Sequence, residues 1–201
     1  LIISCSPSSD ESRETPENVH TIIFKSTKSR TFRTMISKSF LSEFLSNLFS
    51  NPLKNKVAIN SWFIATELTI QIQEHITPNT ILYSYWLDDK ALALSILKSK
   101  NRMLKVVSRA HRWDIYEEEH LYHYLPFRKF LFKQLNAIYS ISSDGLRYLE
   151  SKGAMNVEIS RLGTIQTEEI NTQSSGEVLN LVSISYLIKR KRMALLIDAL
   201  Q

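Results

Sequence analysis

Residues 104–119 read Leu104-Lys105-Val106-Val107-Ser108-Arg109-Ala110-His111-Arg112-Trp113-Asp114-Ile115-Tyr116-Glu117-Glu118-Glu119. The opening run, Leu104–Ser108, is short and apolar, as a buried strand should be. From Ser108 onward the same stretch becomes the densest polar-aromatic segment of the chain. A strand therefore feeds directly into a loop rich in chemically capable side chains. In an open parallel sheet, ligands bind outside the carboxyl ends of the strands, which is where this loop falls.

Similar runs lie on both sides of it. Strands are expected at Leu1–Ser4, Val19–Phe24, Ile81–Trp86, Ala137–Ile141, Val157–Ser160 and Val178–Ile184. Helical patterns cover about Thr31–Phe49, Val57–Ile76, Lys90–Ser99, His120–Leu135 and Asp144–Ser151. Strands separated by helices indicate an α/β domain with a parallel sheet. Several strand runs are apolar on both faces, which suits a sheet with helices on both faces. Ala91, Leu92, Leu94, Ser95, Ile96 and Leu97 nearly encircle their helix with small or apolar groups, as tight packing on a sheet requires. Pro78 and Asn79 break the helix before the Ile81 strand.

Composition narrows the function classes. The chain has 201 residues, 43% hydrophobic and 22% charged, enough for one good core plus part of another, and too apolar for a disordered tail. Cys5 is the one cysteine, so no internal disulfide forms. No apolar run reaches the roughly 18–20 residues that span a bilayer. The chain begins at Leu1 without a signal-peptide pattern and ends at Gln201, in the middle of the helix that the run Met193–Leu200 begins. The expectation is a processed or cut-out piece of a cytosolic protein. Only four glycines occur, and Gly145 is the first, so neither a Walker loop nor a GxGxxG fingerprint exists. The polar stretch Gln166–Gly176 reads as a linker. That gives a first domain over residues 1–165, a linker over 166–177, and the truncated start of a second domain over 178–201.

The net charge of +5 is unevenly placed. Lys25, Lys28, Arg30, Arg33 and Lys38 crowd one stretch, and Lys189, Arg190, Lys191 and Arg192 form another. Either cluster suits a solvated face, phosphate or anionic lipid. With Phe24, Phe32, Phe40 and Phe44, the first would form a membrane-facing segment. The split of positive charge and the absence of a known module argue against nucleic acid as a partner.

Within the 108–119 loop, His111 is the candidate for proton transfer or for hydrogen bonding to a developing charge. Asp114 and Arg112 lie near enough in sequence to orient it. The structural alternative is a loop histidine satisfied by a carbonyl. His111, Asp114, His120 and His123 fall in a short span but match no zinc spacing, so no metal is expected. No GxSxG elbow exists. Ser142, Ser143 and Asp144 instead cap a helix beginning at Gly145, whose free amides suit a hydroxyl or an anion. Tyr122, Tyr124, Pro126 and Phe127 surround Arg128-Lys129, which reads either as a stacking surface or as a helix with its aromatics in the core. Trp62 and Phe63 read as core.

Five segments, taken in order, resemble the family 4 glycosyltransferases of the GT-B fold, most closely bacterial members that build capsule, exopolysaccharide or O-antigen. They are Ile81–Trp86, Val107–Asp114, Asn136–Ser142, Ser160–Thr164 and Val182–Leu200 with Lys191-Arg192. The resemblance implies a Rossmann-like N-terminal half, incomplete at its start because the family's first strand and glycine-containing loop would lie before Leu1, followed by the first βα unit of a second Rossmann-like domain. It also implies retaining transfer from a nucleotide-sugar donor to a glycan or lipid-linked glycan acceptor, without a metal or other cofactor. His111 matches the family's histidine near the reacting sugar, with Arg109, Asp114 and Ser142 lining the acceptor cleft. Arg112 stands where the family often has glycine. Lys191 matches the lysine that contacts the donor diphosphate, with Arg192 beside it. The implied location is the cytoplasm or the inner face of the cell membrane. The family's paired glutamates would lie beyond Gln201, so the 201 residues alone are expected to be inactive. The alternative is a non-catalytic acceptor-binding or membrane-docking remnant.

Overall fold

The computed structural model describes residues 2–4, 17, 21–23, 37–163, 182–187 and 189–200. The chain divides into two compact units, Leu1–Leu162 and Gly163–Gln201.

In the first unit, β1 (Ile2–Ser4) and β2 (Thr21–Ile23) pair in parallel as a separate two-stranded ladder. Next come α1 (Lys38–Ser50), α2 (Lys54–Gln73), β3 (Ile81–Ser84), α3 (Asp89–Lys100) and β4 (Lys105–Ala110). The unit continues with α4 (Arg128–Gln134), β5 (Ala137–Ser140), α5 (Ser143–Ser151) and β6 (Val157–Ile159). β3, β4, β5 and β6 form a four-stranded parallel sheet in chain order.

Local chemistry sets the helix starts. Ser37 accepts a hydrogen bond from the Phe40 amide at 3.1 Å, and Asp88 accepts one from the Lys90 amide at 2.9 Å. α3 is buried at every position from Ala91 to Leu97, as its near-encircling apolar pattern requires. It lies against β3, β4 and α2, and Thr69 of α2 donates to the Ala93 carbonyl at 3.2 Å. Phe40, Trp62 and Phe127 form an aromatic cluster in the same core, with Trp62 and Phe127 centroids 5.1 Å apart. Phe63 is only half-buried, so of the Trp62–Phe63 pair it is Trp62 that fills the core.

The sheet is covered differently on its two sides. Leu82, Val106, Ser108, Ala110, Ile138 and Ser140 share the buried face. On the other face Ile81 is 63% and Tyr83 50% exposed, with Val107, Arg109 and Tyr139 half-buried beside them. Helices on both faces of this sheet are therefore not found among the described residues. Crossovers between parallel strands are right-handed, and three in succession moving one way lay their helices on one side.

Two further expectations change. His120–Leu135 is not one helix. Three short 3-10 turns, Arg112–Asp114, Glu117–Glu119 and Leu121–His123, precede α4, which begins only at Arg128. Pro126 has no amide hydrogen to give, and Tyr122, His123 and Phe127 hold left-handed φ values of 60°, 48° and 59°. In the second unit, residues 182–184 of the expected Val178–Ile184 strand are exposed and form no strand among the described residues, and residues 178–181 lie outside them. That unit holds a 3-10 turn at Lys189–Lys191 and α6 (Met193–Asp198). No described helix is long and apolar enough to cross a membrane.

Candidate functional site

The carboxyl ends of β3 and β4 are tied together by polar groups far apart in sequence. Ser84 and Ser108 are register partners, and both hydroxyls donate to the Trp86 carbonyl, at 2.6 and 3.3 Å. Asp114, 2% exposed, accepts from the Leu87 amide at 2.6 Å and the His111 amide at 2.5 Å. Arg128 donates to the Leu87 carbonyl at 3.1 Å and also to the Asp114 carbonyl. Leu87 is thus held at its amide by Asp114 and at its carbonyl by Arg128. Burial pushes the Asp114 carboxyl up to about 6, while the two amides and the Arg128 charge pull it back. Burial lowers Arg128 to about 10, and the facing Asp114 charge opposes that shift, so Arg128 keeps its charge at neutral pH.

This clasp aims His111. Lys105, Val107 and Arg109 alternate onto the open face of the sheet, and His111 continues the same alternation one residue beyond β4, in extended backbone. Its ring lies 4.3 Å from Trp86 and 4.7 Å from Tyr85, centroid to centroid. It is 7% exposed, both ring nitrogens are buried, and neither has a hydrogen-bond partner among the described residues. Burial, and then the neighbouring Arg109 cation, push the imidazole below its ordinary value, so it is uncharged at pH 7. An uncharged imidazole with neither nitrogen engaged carries one acceptor and one donor. Arg109 donates to the Ser160 hydroxyl at 2.8 Å and lies 6.0 Å from the Tyr85 centroid, while its Nε is buried without a partner.

The structure brings Arg109, His111 and Asp114 together. It corrects two assigned roles. Asp114 holds the His111 backbone rather than its imidazole, because its carboxylate is turned inward onto two amides. Arg112 points away to pair with Glu119 and lies 5.4 Å over the Tyr116 ring. The carbonyl-satisfied alternative for His111 is not found either, since no carbonyl bonds its ring among the described residues. His120 bonds the Trp113 carbonyl and His123 the Glu118 carbonyl, and no metal-holding cluster occurs among the described residues.

Ser142 lies past the end of β5 and caps α5, accepting from the Gly145 amide at 3.1 Å. The helix starts at Ser143 rather than Gly145. A Cβ on Gly145 would stand 2.6 Å from the Ser140 hydroxyl oxygen and 2.8 Å from Ile115. Gly145→Ala is therefore expected to cost about 1–3 kcal/mol by overpacking. A shift in the urea midpoint checks it, and an unchanged midpoint contradicts the close approach.

Lys191 and Arg192 are solvent-exposed in the second unit, where Arg192 joins Leu187 and Met193 in lining a shallow depression of about 390 Å³. The basic segment at Lys25, Lys28, Arg30 and Arg33, with Phe24 and Phe32, lies outside the described residues. Phe40 and Phe44 do not face outward as a membrane segment requires: Phe40 is 3% exposed and Phe44 packs on it. The outward row of α1 is instead Leu41, Leu45, Leu48 and Phe49.

Sequence reasoning missed Tyr85, Trp86 and Arg128 as parts of the site. Tyr85 and Trp86 directly follow a strand, and that placement is a signal for them. Arg128 has none, since nothing local distinguishes it from Lys129. Comparison with protein-family models, curated proteins and solved structures finds no match.

Proposed function

We propose that this chain is the acceptor-side part of a retaining glycosyltransferase of the family 4 type, moving a sugar from a nucleotide-sugar donor to a glycan acceptor in surface-polysaccharide synthesis. The observation that carries this reading is His111: an uncharged imidazole whose two nitrogens are buried and, among the described residues, unbonded, at the carboxyl end of a central parallel strand. In such a transfer His111 hydrogen-bonds a sugar hydroxyl whose charge changes in the transition state. Asp114 and Arg128 act through the backbone, fixing where that imidazole stands. Lys191 and Arg192 supply positive charge for the donor diphosphate, and the chemistry needs no resident cofactor.

The test is a transfer assay with the whole encoded protein and a panel of labelled nucleotide sugars. His111→Ala and His111→Gln are each expected to lower kcat at least about 100-fold with an unchanged thermal midpoint. A variant that folds and turns over at the parent rate removes His111 from the chemistry. Acceptor binding without transfer to any acceptor supports the non-catalytic, acceptor-binding reading in its place.

A further inference from the structure

The alternation of β3 and β4 sends Tyr83, Tyr85, Arg109 and His111 to the open face of the sheet, at its carboxyl end. Tyr139 joins them as the register partner of Arg109 on β5. This end of the face is aromatic, and of these described residues Arg109 is its cation. Tyr85 is 47% and Trp86 36% exposed, their rings 5.9 Å apart and nearly perpendicular, and both already lean on His111. An apolar ring with one exposed side is the surface on which the C–H face of a sugar packs.

Arg109 is the group that this fold leaves unfinished. Its guanidinium is half-buried, and among the described residues a neutral hydroxyl from Ser160 is its hydrogen-bond partner while its buried Nε has none. No ion pair to Arg109 occurs among the described residues. The acid on its own register row, Glu158 of β6, makes no ion pair with it among the described residues. A partly desolvated guanidinium without a carboxylate is poorly compensated, and its planar fork matches an anion that accepts two hydrogen bonds. Beside it, both nitrogens of the His111 ring are also buried and, among the described residues, without a hydrogen-bond partner, a second unsatisfied polar group at the same place.

We infer that this face binds an acidic sugar, with Tyr85 and Trp86 packing the pyranose ring, Arg109 taking its anionic group, and His111 bonding an adjacent hydroxyl. The inference rests on the glycosyltransferase reading only in calling that sugar the acceptor. The anionic group is the carboxylate of a uronic acid or the phosphate of a sugar phosphate, and both offer the same paired oxygens.

The experiment is an NMR titration of the 201-residue chain with methyl glucuronide, glucose 6-phosphate, methyl glucoside and inorganic phosphate. Three tryptophan indoles are followed, with Trp62, 3% exposed, as the internal reference. At least one acidic sugar is expected to shift the Trp86 indole and the His111 ring while leaving Trp62 in place. Whichever acid binds more tightly tells carboxylate from phosphate. Methyl glucoside is expected to bind at least tenfold more weakly. Arg109→Gln, with a retained thermal midpoint, is expected to erase that preference, and Trp86→Ala to weaken the acidic and the neutral sugar alike.

Equal binding of methyl glucoside, or full binding by the Arg109→Gln variant, overturns the inference. So does a Trp86 indole that no acidic sugar moves at about 10 mM. A shift by inorganic phosphate equal to that by the sugars reduces the site to an adventitious ion only. Acidic-sugar binding by this chain, together with no transfer by the whole encoded protein, upholds the inference and removes the enzyme reading. Transfer to a neutral acceptor unaffected by Arg109→Gln does the reverse.

Discussion

Replacing Arg128 by methionine is expected to destabilise the first unit by about 3–5 kcal/mol, the cost of breaking one side of a buried charged arrangement. Arg128 is 9% exposed, and its guanidinium is the donor to the Leu87 and Asp114 carbonyls. Methionine fills much of the space but leaves both carbonyls unpaired and the Asp114 charge without its nearest cation. Lysine keeps the charge, yet one ammonium on a flexible stem does not span two carbonyls as a planar fork does. Arg128→Lys should therefore fall between wild type and Arg128→Met. Urea unfolding at constant m-value measures both. A loss below about 1 kcal/mol for Arg128→Met would show that the clasp carries little of the fold's stability.

Asp114 is the other half of that clasp, and its removal should be comparably severe. Asp114→Ala leaves the buried Leu87 and His111 amides without acceptors, at about 1–3 kcal/mol each, so the expected total is about 2–6 kcal/mol. The same residue gives stability a pH dependence with a definite sign. Its folded carboxyl titrates at about 6, above the ordinary unfolded value of about 3.9. The native state therefore binds the proton more tightly between these values. This contribution is fully present below about pH 4 and is lost as pH rises through about 6. Two pKa units correspond to about 3 kcal/mol. Asp89 shifts the same way, also to about 6, chiefly through burial, with its bond to Ser61 opposing. Unfolding free energies of wild type and Asp114→Asn across pH 4–7 separate the two carboxyls. The wild-type curve should fall more steeply, and identical slopes would remove Asp114 from the titration.

Most of the first unit's elements from residue 37 onward were legible in the chain. The strand runs beginning at Ile81, Leu104, Ala137 and Val157 each form a strand, displaced by at most two residues at an end. The helix at Lys90–Ser99 gains one residue at each end. These signals are short-range: apolar runs, a proline break, a capping aspartate or serine. The segment from His120 to Phe127 was misread because its aromatic periodicity resembles a helix, whereas Pro126 and three left-handed residues decide otherwise.

What the sequence determined by itself is the alternation of strand and helix, and the position of His111 just beyond a central strand. Both depend on neighbours a few residues apart, whose spacing is written directly in the chain. The tertiary structure alone decided which face of the sheet stays open and what His111 touches. It also decided that Asp114 serves the loop's backbone rather than the imidazole. Those outcomes rest on pairings such as Leu87 with Asp114, 27 residues apart, and Tyr124 with Glu43, 81 apart. Parallel register and the hand of the crossovers bring such groups together, and no local pattern records which buried amide will meet which carboxylate.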